Sequence, residues 1–333
     1  MRRKKVTNRD IAAAAGVSPT AVSFAINGKE GISEETRRLI LDAARKLGYI
    51  TAAPRKVLNI ALLFRDGLHE FEQLFYTEMA TSIIDGCRTL PYNLVMTTVY
   101  HDRDDIRFSD ILYSGKIDGL LVFGDPSPEI LPAVKSLNIP FVILDSSRRD
   151  DSCCAVYVDY KEASLRAACC LIDQGHRDIA FIGNNNKSIQ DFTLLTFRGF
   201  QKATQQHGIA LNTNRIQLDI SDEQTLRLAV DRALEGNVRP TALFCCSDYY
   251  AIFAIRYLHA LGIRVPKDIS VIGIDDILIS RYLIPSLTTV VVDKERIVRQ
   301  GIDLLISLIR GEPAQSVTIS DFEIAVRDSS APL

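Results

Sequence analysis

Long apolar runs are missing from this chain. The longest, at 59–64 and 119–123, fall far short of the roughly 20 residues that cross a bilayer, so no membrane partner is expected. The basic start MRRKK is followed by Asn8, Arg9 and Asp10 where an export signal needs an apolar segment, so no export signal is expected. Cys-x-x-Cys spacings are also missing. The seven cysteines fall as Cys87 alone and three adjacent pairs, 153–154, 169–170 and 245–246. That pattern excludes the usual thiolate zinc spacings and reads as small buried hydrophobes in a reducing cytoplasm. The five histidines are scattered, so no metal site is expected. GxSxG, GK[ST], GxGxxG and HExxH do not occur, which leaves no catalytic motif and calls for no cofactor.

What is present is an uneven charge distribution. The formal net charge of the 333 residues is −2, yet residues 1–58 hold 12 Lys and Arg against 5 Asp and Glu. Residues 59–333 hold 27 and 36. A small basic head on a large acidic body predicts a polyanion-binding segment joined to a second domain. The length fits about two domains.

Residues 7–48 predict three short helices. Thr7 with Asp10 forms a capping pattern and Gly16 stops the first helix. Ser18-Pro19 opens the second and Asn27-Gly28 closes it. Ser33 caps the third, whose stripe is Leu39, Ile40, Ala43, Ala44 and Leu47. At 100° per residue, Val22, Ala25 and Ile26 face inward, leaving Thr20, Ser23 and Phe24 toward solvent. A short helix after a Gly-containing turn in a basic segment is the helix-turn-helix arrangement, whose second helix enters the DNA major groove. Arg2, Arg3, Lys4, Lys5, Lys29, Arg37 and Arg38 would neutralise phosphates. A plain three-helix scaffold with a solvated basic surface is the alternative.

The stretch TNRDIAAAAGVSPTAVSFAINGKEGISEETRRLILDAARKLGY resembles the DNA-binding head of the lactose-repressor (LacI/GalR) family of bacterial transcriptional regulators. The resemblance implies a double-stranded, pseudo-palindromic DNA operator as partner. It places base-edge reading on Pro19, Thr20 and Phe24, and phosphate contacts on Thr7, Ser23, Asn27, Ser33 and Thr36. Phe24 stands where the family often carries Arg; a Phe can meet a thymine methyl but cannot donate to guanine. The family's hinge helix, with a Leu wedged into the minor groove, would put Leu58 in the wedge position. Pro54 within 50–58 opposes a helix there, and Leu58 can equally begin the strand that follows.

Beyond residue 58, apolar runs alternate with amphipathic stretches. Strands are predicted at 59–64, 93–99, 119–123 and 141–144, then at 179–182, 216–220, 242–246 and 269–274. Helices are predicted at 130–137, 161–174, 197–207, 225–234 and 251–261. A late segment, 287–293 then 295–309, crosses back to the first lobe. Two series of about four apolar strands argue for two α/β lobes with parallel sheets, and a cleft at the strands' carboxyl ends. Polar residues gather there: Arg65-Asp66, Asp125, Asp145, Asn184–Asn186, Ser247-Asp248 and Asp275-Asp276. Each Asp can cap a helix or hold a ligand.

Segments at 175–183, 198–200, 247–251, 262–276 and 285–290 are similar to the same family's effector domain, which is periplasmic-binding-protein-like, with two lobes and three crossings. By that resemblance, effector contacts fall on Phe75, Tyr76, Asp145, Ser247, Asp248 and Asp275, with Thr196 where the family usually has Arg. A hydroxyl cannot replace a bidentate Arg, so a ligand that differs from ordinary sugars is expected.

The chain is therefore expected to be an all-α helix-turn-helix head (1–58) on a two-lobe effector-binding and dimerisation domain (59–333). The lobes are expected at about 59–159 with 291–317, and at about 160–290 with 318–333. The expected function is a cytoplasmic homodimeric repressor controlled by a small polar effector, a sugar or related metabolite. Inducer and co-repressor would use the same pocket. The alternatives are a cytoplasmic two-lobe hydrolase using Asp248 and Asp275, and an exported solute-binding protein.

Overall fold

The computed structural model describes residues 6–26, 29, 31–47, 49, 57–65, 70–87, 92–102, 105–184, 190–220 and 222–333. The chain divides into two compact units, Met1–Val57 and Leu58–Leu333.

The first unit holds helices α1 (Asn8–Ala15), α2 (Pro19–Ile26) and α3 (Glu34–Lys46). Their core is Ile11, Ala12, Val22, Ala25, Ile40 and Ala44; of the predicted α3 stripe, Leu39 and Leu47 are exposed instead. The Asp10 carboxylate accepts from the Thr7 N–H and Oγ1, each at 2.7 Å. Ser18 Oγ accepts from the Ala21 N–H at 3.2 Å, and Ser33 Oγ from the Thr36 N–H at 3.1 Å. Each predicted capping residue thus satisfies a helix-end donor or holds the entry of its helix. Asn27, Gly28 and 50–56, including Pro54, lie outside the described residues.

The second unit begins β1 (Leu58–Arg65), α4 (Glu70–Cys87), β2 (Tyr92–Asp102), β3 (Asp105–Phe108), α5 (Asp110–Tyr113), β4 (Gly119–Phe123), α6 (Ile130–Ser136), β5 (Phe141–Ser146) and β6 (Cys154–Val158). It continues α7 (Tyr160–Asp173), β7 (Ile179–Ile182), α8 (Gln190–Gln206), β8 (Ile216–Gln217), α9 (Glu223–Leu234), β9 (Ala242–Cys245), α10 (Asp248–Ala260) and β10 (Ser270–Asp275). It ends β11 (Thr288–Val291), α11 (Lys294–Ile309), β12 (Val317–Ile319) and β13 (Glu323–Ala325). One sheet runs β12-β6-β5-β4-β1-β2-β3 and the other β13-β11-β10-β9-β7-β8. Central strands such as β4 and β9 are buried along their whole length, as sheets covered on both faces require.

Several expectations change. β3 and β13 pair antiparallel with β2 and β11, so neither sheet is wholly parallel. β6 was not predicted, because its Val156-Tyr157-Val158 run is short and follows a polar loop. It pairs with β5 and with β12. β8 is two residues long, not five. Since β12 joins the first sheet and β13 the second, the third crossing lies between Ile319 and Glu323. α11 packs on α4, β4, β5 and β6 of the first sheet, whereas β11 before it pairs with β10 in the second.

Candidate functional site

On the head, Pro19 and Thr20 are exposed on α2, and Ser23 is half-buried. Phe24 does not stand free as predicted. It is half-buried, and a Cβ on Gly31 (φ +113°) would lie 3.1 Å from its ring. The ring packs on the α2–α3 turn, and only glycine suits both that backbone angle and that contact. Arg37 is also corrected. Its guanidinium donates to the carbonyls of Phe24 (3.4 Å), Ala25 (3.3 Å) and Lys29 (2.6 Å), and pairs with Glu34 at 3.5 Å. The Phe24 and Ala25 carbonyls lie at the negative end of α2 and the Lys29 carbonyl just beyond it, so the guanidinium ties down the chain that leaves the helix. Lys29 and Arg38 remain exposed. Thr7, Ser33 and Thr36 sit at the starts of α1 and α3, where helix N-termini favour anions; Ser33 and Thr36 share a 2.8 Å hydroxyl contact. Leu58 is the first residue of β1, half-buried and in register with Tyr92. Strand pairing withdraws it from the wedge role.

In the second unit, Phe75 and Tyr76 lie on α4 with their rings edge to face at 5.4 Å, and Tyr76 stacks on Phe123 at 5.2 Å. The Tyr76 hydroxyl donates to Asp145 Oδ2 at 3.2 Å. Asp145 is the next-to-last residue of β5 and lies in the left-handed region (φ +62°), where the pairing with β6 shifts register. Its Oδ1 accepts from the Tyr160 hydroxyl at 2.5 Å, and the Tyr160 ring meets Phe192 edge to face at 4.6 Å. Tyr160 opens α7 and Phe192 belongs to α8, both covering the second sheet. Tyr76, Asp145 and Tyr160 therefore bind one lobe to the other. Burial pushes the Tyr160 phenol well up, with the Asp145 and Asp275 carboxylates adding to it.

Asp275, at the end of β10 with φ +128°, belongs to the same cleft. Burial and the carboxylates of Asp248 and Asp145 raise its affinity for a proton, against the pull of Lys294. Ser247 caps α10, is 9% exposed, and its Oγ has no hydrogen-bond partner among the described residues.

Two predicted contacts are corrected. Asp248 is fully buried. Its Oδ2 accepts from the Ile277 N–H (3.0 Å) and Ser280 Oγ (2.6 Å), and its Oδ1 from Thr289 Oγ1 (2.5 Å). It braces the loop after β10, with three of its acceptor sites already bonded inside the lobe. Burial pushes it up to about 7. Thr196 is fully buried, donating to the Thr193 carbonyl at 2.9 Å, while its own carbonyl accepts from Ser164 of α7 at 2.5 Å. Nearly one turn on and on the same face, a Cβ at Gly199 would overlap the Lys161 carbonyl. That close approach of α8 to α7 turns Thr196 away from the cleft. Asp125 is half-buried, accepting from Ser147 Oγ (2.6 Å) and the Ser147 and Arg148 N–H groups. Asp66, Asn185 and Asn186 lie outside the described residues.

Sequence reasoning missed Tyr160, Phe192, Glu78 and Lys294. Tyr160 follows β6, the strand that the sequence did not reveal, and the other three carry no local signal. No group of metal-ligating side chains occurs among the described residues, nor is any described helix long and apolar enough to cross a membrane.

A trihelical head and a two-lobe body with a polar cleft define a regulator that joins DNA binding to ligand binding. Residues 7–52 match the model of the lacI family of bacterial regulatory proteins, and 169–330 that of the periplasmic binding protein-like domain. The chain is 30% identical over 331 residues to the HTH-type transcriptional repressor PurR of Histophilus somni, covering 97% of this chain and 98% of that protein. It is 30% identical over 308 residues to the ribose operon repressor of Haemophilus influenzae, covering 91% and 92%. The solved lac repressor dimer bound to operator and the anti-inducer ONPF shares its fold, with a TM-score of 0.69 at 22% identity over 98% of this chain and 100% of that one. The chain belongs to the LacI family of bacterial regulatory proteins, ligand-controlled DNA-binding transcriptional regulators.

Proposed function

We propose that the protein is a homodimeric repressor. Its two heads read a pseudo-palindromic operator, and a small polar effector between the lobes sets its affinity for DNA. Pro19 and Thr20 of α2 meet base edges, with Phe24 contributing the rim of its ring. Thr7, Ser23, Ser33 and Thr36 hold phosphates, and Lys29 and Arg38 add the sequence-independent attraction. The proposed dimer face is apolar. Leu74, Thr77, Thr81 and Ile84 are exposed along one side of α4, next to the exposed Leu278, Ile279, Tyr282 and Ile284.

The effector reading rests on Asp145, which accepts one phenol from each lobe. A ligand that engages Asp145, Asp275 and Ser247 while stacking on Phe75 or Tyr76 binds the two lobe arrangements unequally, which is what control requires. Carboxylates and a free hydroxyl suit a ligand rich in hydroxyls or bearing an amine, such as a sugar, amino sugar or nucleoside. Such a protein acts in the cytoplasm, where operator and metabolite meet. The reading is tested by selecting duplexes from a random pool and measuring mass in solution. A selected two-fold motif on a dimer is expected; a monomer without duplex preference overturns it.

A further inference from the structure

Two side chains outside the predicted site tie its halves together. Glu78 lies on α4 of the first lobe, one helical turn beyond Phe75. Its Oε1 accepts from the main-chain N–H of Leu278, in the second lobe, at 2.6 Å. Its Oε2 lies 3.5 Å from the ammonium of Lys294, the first residue of α11, where the chain crosses back between lobes. Lys294 is 9% exposed and donates to the carbonyls of Asp275 (2.6 Å) and Asp276 (3.1 Å). Its ammonium also stands 5.2 Å over the Phe75 ring. Asp275 and Asp276 both have positive φ, +128° and +47°, a backbone that L-residues leave unless something holds it.

We propose that Glu78 and Lys294 are positioning residues for the effector cleft. Together they form a latch that holds the Asp275 main chain and the Phe75–Tyr76 edge of α4 in register and couples ligand occupancy to the lobe arrangement that the heads sense. Leu278 begins the apolar stretch of the dimer face, so the same carboxylate joins cleft and subunit contact. A polar cavity of about 540 Å³ opens beside the pair, lined by Glu78, Ser82, Asp276, Arg281 and Lys294 among others. Lys294 is held by its carbonyls, whereas the Glu78 side chain, 29% exposed at the edge of this cavity, has room to leave it, as a two-state contact needs. The inference rests on the repressor reading for its purpose, but not for its geometry.

The test is hydrogen exchange by mass spectrometry on the full chain, comparing wild type with Glu78→Ala, Glu78→Gln, Lys294→Met and Lys294→Arg. Exchange across 277–284 is expected to quicken more than tenfold in Glu78→Ala and Lys294→Met, while 242–245 and 270–274 keep their protection. Glu78→Gln, which keeps an acceptor for Leu278, and Lys294→Arg, which keeps the charge, are expected to fall between these and wild type. Equal exchange at 277–284 in wild type and Glu78→Ala overturns the latch. Quickened exchange spread over both sheets also overturns it, since that marks a merely structural role. A second arm measures affinity for a duplex selected by the wild type. A shift of fivefold or more in Glu78→Ala supports coupling, and an unchanged affinity overturns it. If the wild type selects no duplex, the repressor reading fails while exchange still decides the latch.

Discussion

Asp145 and Tyr160 meet across the cleft at 2.5 Å, phenol to carboxylate, with Tyr76 on the other carboxylate oxygen at 3.2 Å. Asp145 belongs to the first lobe and Tyr160 opens the first helix of the second, so this contact is sensitive to how the lobes stand. On the proposed effector reading, a ligand entering the cleft competes with this contact or builds on it.

Tyr160→Phe removes one donor and leaves the ring against Phe192. An oxygen of a buried carboxylate left short of a partner costs roughly 1–3 kcal/mol. Effector affinity, read by thermal shift across a ligand series, is expected to fall about tenfold with the fold intact, since a tenfold change is about 1.4 kcal/mol. An unchanged titration removes Tyr160 from the site.

Arg37→Met and Lys29→Met separate structure from DNA contact. Arg37 satisfies three carbonyls at the end of α2, so its loss is expected to lower the stability of the head by about 1–2 kcal/mol, seen in urea unfolding. Lys29 is exposed, and its loss is expected to leave unfolding unchanged while reducing the slope of log K against log salt by about 0.9. The reverse pattern would return Arg37 to the phosphates.

Thr196→Ala tests the correction at α8. The hydroxyl bonds only to its own helix, so stability is expected to fall by about 1 kcal/mol or less and effector affinity to stay as it was. A large loss of effector affinity with stability preserved would put Thr196 in the cleft after all.

Asp248 predicts a pH dependence. Its folded pKa is pushed up to about 7 from 3.8, so the folded form holds the proton more tightly than the unfolded chain. Its contribution is whole below about pH 4 and is lost as pH rises through about 7. Asp275 is raised in the same direction and titrates with it. The midpoint of thermal unfolding is therefore expected to fall between pH 5 and pH 8 in wild type. The fall should flatten in Asp248→Asn, whose amide can bond Thr289 while its oxygen serves Ile277 and Ser280. Identical profiles would contradict the assignment.

Much of this was legible in the sequence because short-range rules decide it. The caps at Ser18 and Ser33, the inward stripe of Val22 and Ala25, and the apolar runs of β4 and β9 each depend on a few neighbouring residues. The errors arise from contacts distant along the chain. Phe24 lies down because Gly31 admits it, and Thr196 turns inward because Gly199 lets α8 approach α7. Asp248 belongs to Ser280 and Thr289, 32 and 41 residues away. Periodicity places a residue on a face of its own element; which neighbour covers that face is a tertiary fact. Tyr160, Glu78 and Lys294 were missed for the same reason.

The central claim is that cleft and head are coupled. It is tested by titrating a fluorescent duplex, chosen by selection, with wild type and Asp275→Asn, alone and with each of a panel of sugars, amino sugars and nucleosides that includes ribose. The account predicts that at least one compound moves wild-type affinity fivefold or more. It also predicts that Asp275→Asn binds the duplex alone as wild type does and loses that response. Affinity indifferent to every compound, or a response undiminished in Asp275→Asn, would contradict it.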